Sequence, residues 1–194
     1  MDKISYSLGL NVAGSFKASG IQELNIEDFM AAVTAVFEGK QPELSAEEVN
    51  QILNDYFGKL QQRQADAIKN AGESFLAENA KREGVVTLAS GLQYEVINEG
   101  AGKKPLASDQ VKCHYEGTLI NGQVFDSSVQ RGEPATFGVN QVIPGWVEAL
   151  QLMSEGSKWR LFIPYQLAYG ERGAGQAIAP FSTLVFEVEL LEVI

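Results

Sequence analysis

The sequence predicts an α+β protein in two parts: an all-α segment with one very long helix over residues 1–84, then a twisted antiparallel β-sheet wrapped around a short helix over residues 85–194. Three observations carry the prediction. Apolar residues recur at spacings of three and four through the first part. Past Gly84 the period falls to two. In the second part a single helical stretch, GWVEALQLM behind Pro144, interrupts the alternation.

Taken in order, Ile4, Leu8, Val12 and Phe16 fall four apart, a helix that Asp2 or Ser5 can cap. Gly9 and Gly14 each cost about 1 kcal/mol of helicity. With Ala13 they leave a small surface suited to a close backbone neighbour; the plainer alternative is a frayed amphipathic helix. A second helix starts at Asn25 with Asp28 three residues on. Phe29, Met30, Val33, Val36 and Phe37 supply its apolar stripe, and it stops at Gly39 and Pro42. Ser45 and Glu48 then form a capping box before a pattern without proline up to Gly84. Val49, Ile52, Leu53, Tyr56, Phe57, Leu60, Ile68, Ala71 and Phe75 mark its apolar steps. Its 39 residues would span roughly 58 Å at the α-helical rise. Its middle, LQQRQADAIKNAGE, is polar and reads as a solvated spacer. Two short helices cannot cover the apolar half of so long a partner, so the segment is expected to complete its core with a second copy, as an intertwined homodimer. The alternative is a monomeric helical hairpin.

In the second part, residues 92–98 read as a strand closed by a glycine turn. Residues 110–119 follow, with Val111, Cys113 and Tyr115 on one face and Lys112, His114 and Glu116 on the other. Asn121-Gly122 is a hairpin signal, and the return strand begins at Val124 and Phe125. Residues 135–139, 158–163 and 183–193 supply the rest, the last placing Leu184, Phe186, Val188 and Leu190 on one face. The expected sheet has five or six strands in a domain of about 105 residues.

Charge narrows the partners. The net charge of −10 divides evenly, with 13 acids and 8 bases before residue 85 and 12 acids and 7 bases after it. Neither part carries a basic patch, so nucleic acid and anionic membrane are not the expected partners. One cysteine excludes an internal disulfide. The N-terminus has no long apolar run and no small-residue cleavage site. No stretch is long and apolar enough to span a bilayer. The expected location is the cytoplasm, or the periplasm if a leader was removed.

Covalent chemistry finds few candidates. With one histidine and one cysteine no metal site suggests itself, and no cofactor is expected. Cys113 and His114 are strand neighbours, so their side chains leave opposite faces and cannot form a nucleophile–base pair. GERGAG lacks the lysine and the helix of a phosphate loop. What stands out instead is Phe125-Asp126-Ser127-Ser128, then Val142-Ile143-Pro144-Gly145-Trp146, with Tyr115, Phe137, Tyr169 and Phe186 around them. The set reads as an apolar pocket with one carboxylate, Asp126. For Phe137 and Phe186, plain core packing is an equal alternative, since strand aromatics usually sit in cores.

Four stretches, VKCHYEGTLINGQVFDSS, VIPGWVEALQLM, IPYQLAYGERGAG and STLVFEVELLEV, resemble in order those of the FKBP-type peptidyl-prolyl cis–trans isomerases. Residues 1–84 resemble the dimerisation segment of the bacterial Mip-like group. The resemblance implies an FKBP-like fold with Trp146 as the floor under a substrate prolyl ring, and Tyr115, Phe125, Phe137, Val142 and Phe186 as walls. It implies that the Tyr169 hydroxyl and the Ile143 N–H face substrate carbonyls. Asp126 would sit at the pocket edge paired with Arg131, and Ile178 in a loop over the mouth. Ala135, Ala174, Ala177 and Ala179 stand where relatives often carry larger residues, or proline in the last case, and bear on the shape of the rim.

Such a pocket needs no nucleophile. Rotation about an X–Pro bond crosses a barrier of about 18–20 kcal/mol because it breaks amide resonance. The twisted amide is less polar than the planar one, so a dry aromatic site favours it. Two function classes follow. One is an isomerase acting on proline-containing unfolded or partly folded chains. The other is a chaperone or scaffold that binds such segments without turnover. Both imply binding of macrolide immunosuppressant inhibitors over Trp146.

Overall fold

The computed structural model describes residues 1–194. Its contacts divide the chain into two compact units, Met1–Gln62 and Arg63–Ile194, so the second unit begins earlier than the expected boundary at residue 84.

The first unit holds α1 (Lys3–Ala18), α2 (Ile26–Phe37) and the start of α3 (Ala46–Asn79). The caps are those the sequence suggests. Asp2 accepts from the Ile4 and Ser5 N–H groups, and Asn25 from those of Glu27 and Asp28. Ser45 and Glu48 close a reciprocal box. Gly39 takes a left-handed conformation at φ 65°, which ends α2 at no steric cost. Neither α1 nor α2 buries a single residue, and Phe37 is 88% exposed. Phe16 and Phe29 meet edge to face at 5.6 Å.

In the second unit α3 ends at Asn79, after 34 residues and not 39. At that end Asn79 is buried. Its amide donates to Gln93 Oε1 at 2.8 Å, and its carbonyl oxygen accepts from Arg82. The last turns of α3 pack on the sheet. Gly72 has no side chain to keep Thr183 away, since a Cβ there would lie 2.4 Å from Thr183 Oγ1, and Phe75 packs on Phe162 with ring centroids 6.0 Å apart.

The sheet has seven strands: β1 (Val85–Thr87), β2 (Gln93–Asn98), β3 (Gln110–Leu119), β4 (Val124–Ser127), β5 (Ala135–Gly138), β6 (Lys158–Ile163) and β7 (Leu184–Val193). All pairs are antiparallel, in the order β1-β2-β6-β7-β3-β4, with β5 also on β3. The additional strand is β1, three residues long and too short to show a period. Between β4 and β5 lies a single helical turn, α4 (Ser128–Arg131), and α5 (Pro144–Leu152) starts with proline in its first turn. Alternation along β3 and β7 turns Val111, Cys113, Tyr115, Leu184, Phe186, Val188 and Leu190 inward, where they meet Trp146, Ala149 and Leu150 of α5. At Gly145 a Cβ would lie 2.6 Å from Ile163 Cγ2, so glycine lets the start of α5 sit against β6 and fixes the depth at which Trp146 enters.

Candidate functional site

Trp146 is the centre of the site. It is 4% exposed, and three rings from three strands meet it nearly at right angles. Tyr115 of β3 lies at 5.4 Å and 86°, Phe137 of β5 at 5.7 Å and 80°, and Phe186 of β7 at 5.3 Å and 83°. Edge-to-face contact is the favoured arrangement of aromatic quadrupoles, so each ring is held by its neighbours. Phe125 of β4 stands edge to face on Phe186 at 5.5 Å. Gly117 makes room for this pair, because a Cβ there would come within 2.6 Å of Phe186 and 2.7 Å of Phe125.

These rings, with Asp126, Gln141, Val142, Ile143 and Tyr169, line an open cavity of about 450 Å³. The structure therefore brings together Tyr115, Phe125, Asp126, Phe137, Val142, Ile143, Trp146, Tyr169 and Phe186, all of them expected from sequence. Arg131 lies just outside the lining and bonds to it. Ile178 does not line the cavity. Its backbone pairs both ways with Ala174, at 2.8 and 3.1 Å, and its side chain is 7% exposed within the core cluster. Gln141 lines the cavity without having been expected, because one polar residue between two motif positions carries no periodic or compositional signal.

The polar side of the cavity is a closed triad. Tyr115 donates its hydroxyl proton to Asp126 Oδ2 at 2.6 Å, and Arg131 Nη2 donates to the Tyr115 hydroxyl at 2.8 Å. Arg131 Nη1 also bonds Asp126 Oδ1, and the guanidinium lies over the Tyr115 ring at 5.6 Å. Burial pushes the Tyr115 phenol above its ordinary value, and the Asp126 carboxylate beside it pushes the same way. Burial alone would raise Asp126 too. The hydrogen bonds from Tyr115 and Arg131, together with the charge of Arg131, outweigh it and hold the carboxyl below the usual range. The phenol is thus neutral and the carboxylate ionised. A carboxylate lowered and already doubly bonded is a poor general base.

The Gln141 amide and the buried Trp146 indole N–H lack partners in the chain, and two further donors face a ligand. The Tyr169 side chain is 40% exposed on the cavity wall, and its hydroxyl bonds to nothing in the chain. The Ile143 N–H, just before α5, makes no hydrogen bond within the chain. Cys113 is fully buried and its thiol is pushed up to about 12 by burial, which removes it as a nucleophile. No three His, Cys, Asp or Glu side chains converge as a metal-holding group.

Comparison with known proteins finds two family profiles. The one described as FKBP-type peptidyl-prolyl cis-trans isomerase matches residues 101–191, and the domain amino terminal to FKBP-type peptidyl-prolyl isomerase matches residues 1–96. The FKBP-type 22 kDa peptidyl-prolyl cis-trans isomerase of Escherichia coli K12 is 51% identical over 98% of this chain and 94% of its own length. The outer membrane protein MIP of Legionella longbeachae is 43% identical over 99% of this chain and 85% of its own. The crystal structure of FkpA from Escherichia coli superposes with a TM-score of 0.80 at 38% identity, covering 98% of this chain and 92% of that one.

Proposed function

This chain belongs to the FKBP-type peptidyl-prolyl cis–trans isomerases, and on that premise we propose how its residues divide the work of turning an X–Pro bond. The prolyl ring lies on Trp146 between Tyr115, Phe125, Phe137, Val142 and Phe186. The Ile143 N–H and the Tyr169 hydroxyl take the carbonyls on either side of the proline. Ile178 holds the loop behind the mouth in place. Asp126, fixed by Arg131 and Tyr115, contributes a fixed field and a fixed ring position, and takes no proton.

One observation carries this reading: both oxygens of the only carboxylate in the cavity already accept hydrogen bonds from the chain itself. What remains for a substrate is an aromatic floor and neutral polar groups, among them the Ile143 N–H and the Tyr169 hydroxyl. That environment favours the less polar twisted amide and holds its flanking carbonyls, so binding is stronger at the top of the barrier than at the bottom. The test is cis-to-trans relaxation of a short Leu-Pro peptide, followed without a coupling protease, for the unaltered protein and Asp126→Leu. Loss of acceleration in a variant still folded by circular dichroism supports the assignment. Full acceleration by that variant removes Asp126 from the site.

Residues 1–84 act as the dimerisation module and connecting helix, and residues 85–194 as the isomerase domain. Dimerisation is supported by the first unit itself, whose two short helices bury nothing in one copy. A stable monomer in sedimentation experiments would overturn it. The same exposed apolar surface, with Ile4, Val36 and Phe37 each more than 70% exposed, favours a second activity, chaperone-like holding of unfolded, proline-containing chains. Macrolide immunosuppressants would compete with the peptide over Trp146. The cytoplasmic location expected from sequence gains no support from the relatives, one of which is named an outer membrane protein. We place the protein in the periplasm instead.

A further inference from the structure

On one edge β3 is served by two different strands, and there is a gap between them. Pairing with β5 ends at Cys113↔Ala135, and pairing with β4 begins at Glu116↔Ser127. His114 and Tyr115 therefore have no strand partner on that edge, although on the other edge both pair with β7. An unpaired backbone amide and carbonyl in a buried strand would each carry a desolvation cost. The gap is filled by one side chain. Ser128, fully buried, accepts from the Tyr115 N–H at 2.8 Å and donates to the Tyr115 carbonyl at 3.2 Å, and His114 Nδ1 lies 3.0 Å from the Ser128 hydroxyl oxygen.

Ser128 is also the first residue of α4, and Arg131 is the last. One helical turn therefore grips Tyr115 twice: the Ser128 hydroxyl holds its backbone, and the Arg131 guanidinium holds its phenol. We propose that Ser128 is a positioning residue for the isomerase reaction, its hydroxyl standing in for the missing strand and fixing the Tyr115 phenol hydroxyl against Asp126 and Arg131. Ser128 touches no substrate and acts only through Tyr115. The inference rests on the assignment of Tyr115 to the pocket machinery.

A double-mutant cycle on the full chain tests it, with Ser128→Ala, Tyr115→Phe and the pair, each confirmed as folded by near-ultraviolet circular dichroism. If Ser128 positions the phenol, Ser128→Ala lowers kcat/KM roughly tenfold in the unaltered background and causes no further fall once the Tyr115 hydroxyl is gone. An equal fall in both backgrounds means a general structural role and overturns the proposal, as does no fall in either. If Tyr115→Phe alone keeps full activity, the pocket assignment fails first and takes this inference with it. Should Ser128→Ala not fold, Ser128→Cys keeps the size, weakens the hydrogen bonds and enters the same cycle. The unaltered protein gives an independent readout in amide exchange. A Tyr115 N–H as slow as that of the strand-paired Cys113 is expected, and exchange at the rate of an exposed loop overturns the proposal.

Discussion

Adding one methyl group at Gly117 should harm the site more than the fold. A Cβ there would lie 2.6 Å from Phe186 Cε1 and 2.7 Å from Phe125 Cε2 and Cζ. Carbon atoms in ordinary contact sit about 3.5–4.0 Å apart, so both rings must retreat by roughly 1 Å. The strand cannot slide to relieve them, because Gly117 is held in register opposite Asp126 on β4 and Phe186 on β7. Nor can Phe186 withdraw freely, with Trp146 at 5.3 Å behind it. Overpacking of this kind costs about 1–3 kcal/mol. The lower entropy of the unfolded alanine chain returns about 0.4–1 kcal/mol. The net loss, between about 0 and 2.6 kcal/mol, is well inside the usual stability of about 5–15 kcal/mol, so the protein stays folded. Catalysis is less tolerant, since displacing positioned groups by about 1 Å can cost up to about 100-fold in rate. Gly117→Ala is therefore expected to shift the denaturant midpoint modestly and to lower kcat/KM by about tenfold or more in protease-free relaxation of a Leu-Pro peptide. A folded Gly117→Ala protein with unaltered kcat/KM would refute the claim that Phe125 and Phe186 form the working walls.

Three further outcomes are expected. Asp126 is held below its ordinary value of 3.8, so what its ionised form adds to stability is complete above that value and is lost as pH falls through the lower folded one. The stability gap between the unaltered protein and Asp126→Asn should thus be constant near neutrality and shrink in acid, and a gap that widens on acidification contradicts the triad. Cys113, with its thiol pushed up to about 12 and fully buried, should resist iodoacetamide in the native protein and react on unfolding; rapid native labelling would show that β3 opens locally. Gly72→Val should destabilise the second unit by about 1–3 kcal/mol, since the new side chain meets Thr183 and lifts α3 from the sheet; an unchanged denaturant midpoint would show that the contact gives way without cost.

What could be read from the sequence follows from what makes a periodic signal. The strands at 110–119 and 158–163 fall where alternation places them, because each has one face in the core over its full length. The caps at Asp2, Asn25 and Ser45 are local chemistry and were equally legible. The three residues of β1 and the four of α4 are too short for any period to register. The docking of α3 was hidden because it depends on Gly72 meeting Thr183, far along the chain, and no local pattern announces that contact. Most of the site was recovered through motif resemblance, and periodicity alone would have left Phe137 and Phe186 as core residues. That reading is not mistaken, for Phe186 is 5% exposed and belongs to both core and cavity. Gln141 and Ser128 carried no signal of either kind. One is a lone polar residue at a rim, and the other matters only because β3 changes partner beside it.

That dual membership bears on how the site can work. An isomerase without a nucleophile depends on geometry held fixed while the substrate moves, so its working parts belong where the protein is least free to yield. Tyr115, Trp146 and Phe186 are each no more than 7% exposed and come from β3, α5 and β7, elements that also build the core. Rigidity of the bowl is then a by-product of folding, and any change that loosens the core loosens the catalyst. The Tyr169 hydroxyl and the Ile143 N–H differ, since they lie outside strands and helices and have no partner in the chain. Of the two, Ile143 is tied to α5, its carbonyl accepting from the Trp146 and Val147 N–H groups, whereas Tyr169 carries a side chain open to solvent. On the proposed assignment, the Tyr169 hydroxyl and the aromatic bowl are set on parts of different packing, and a substitution that alters one need not alter the other.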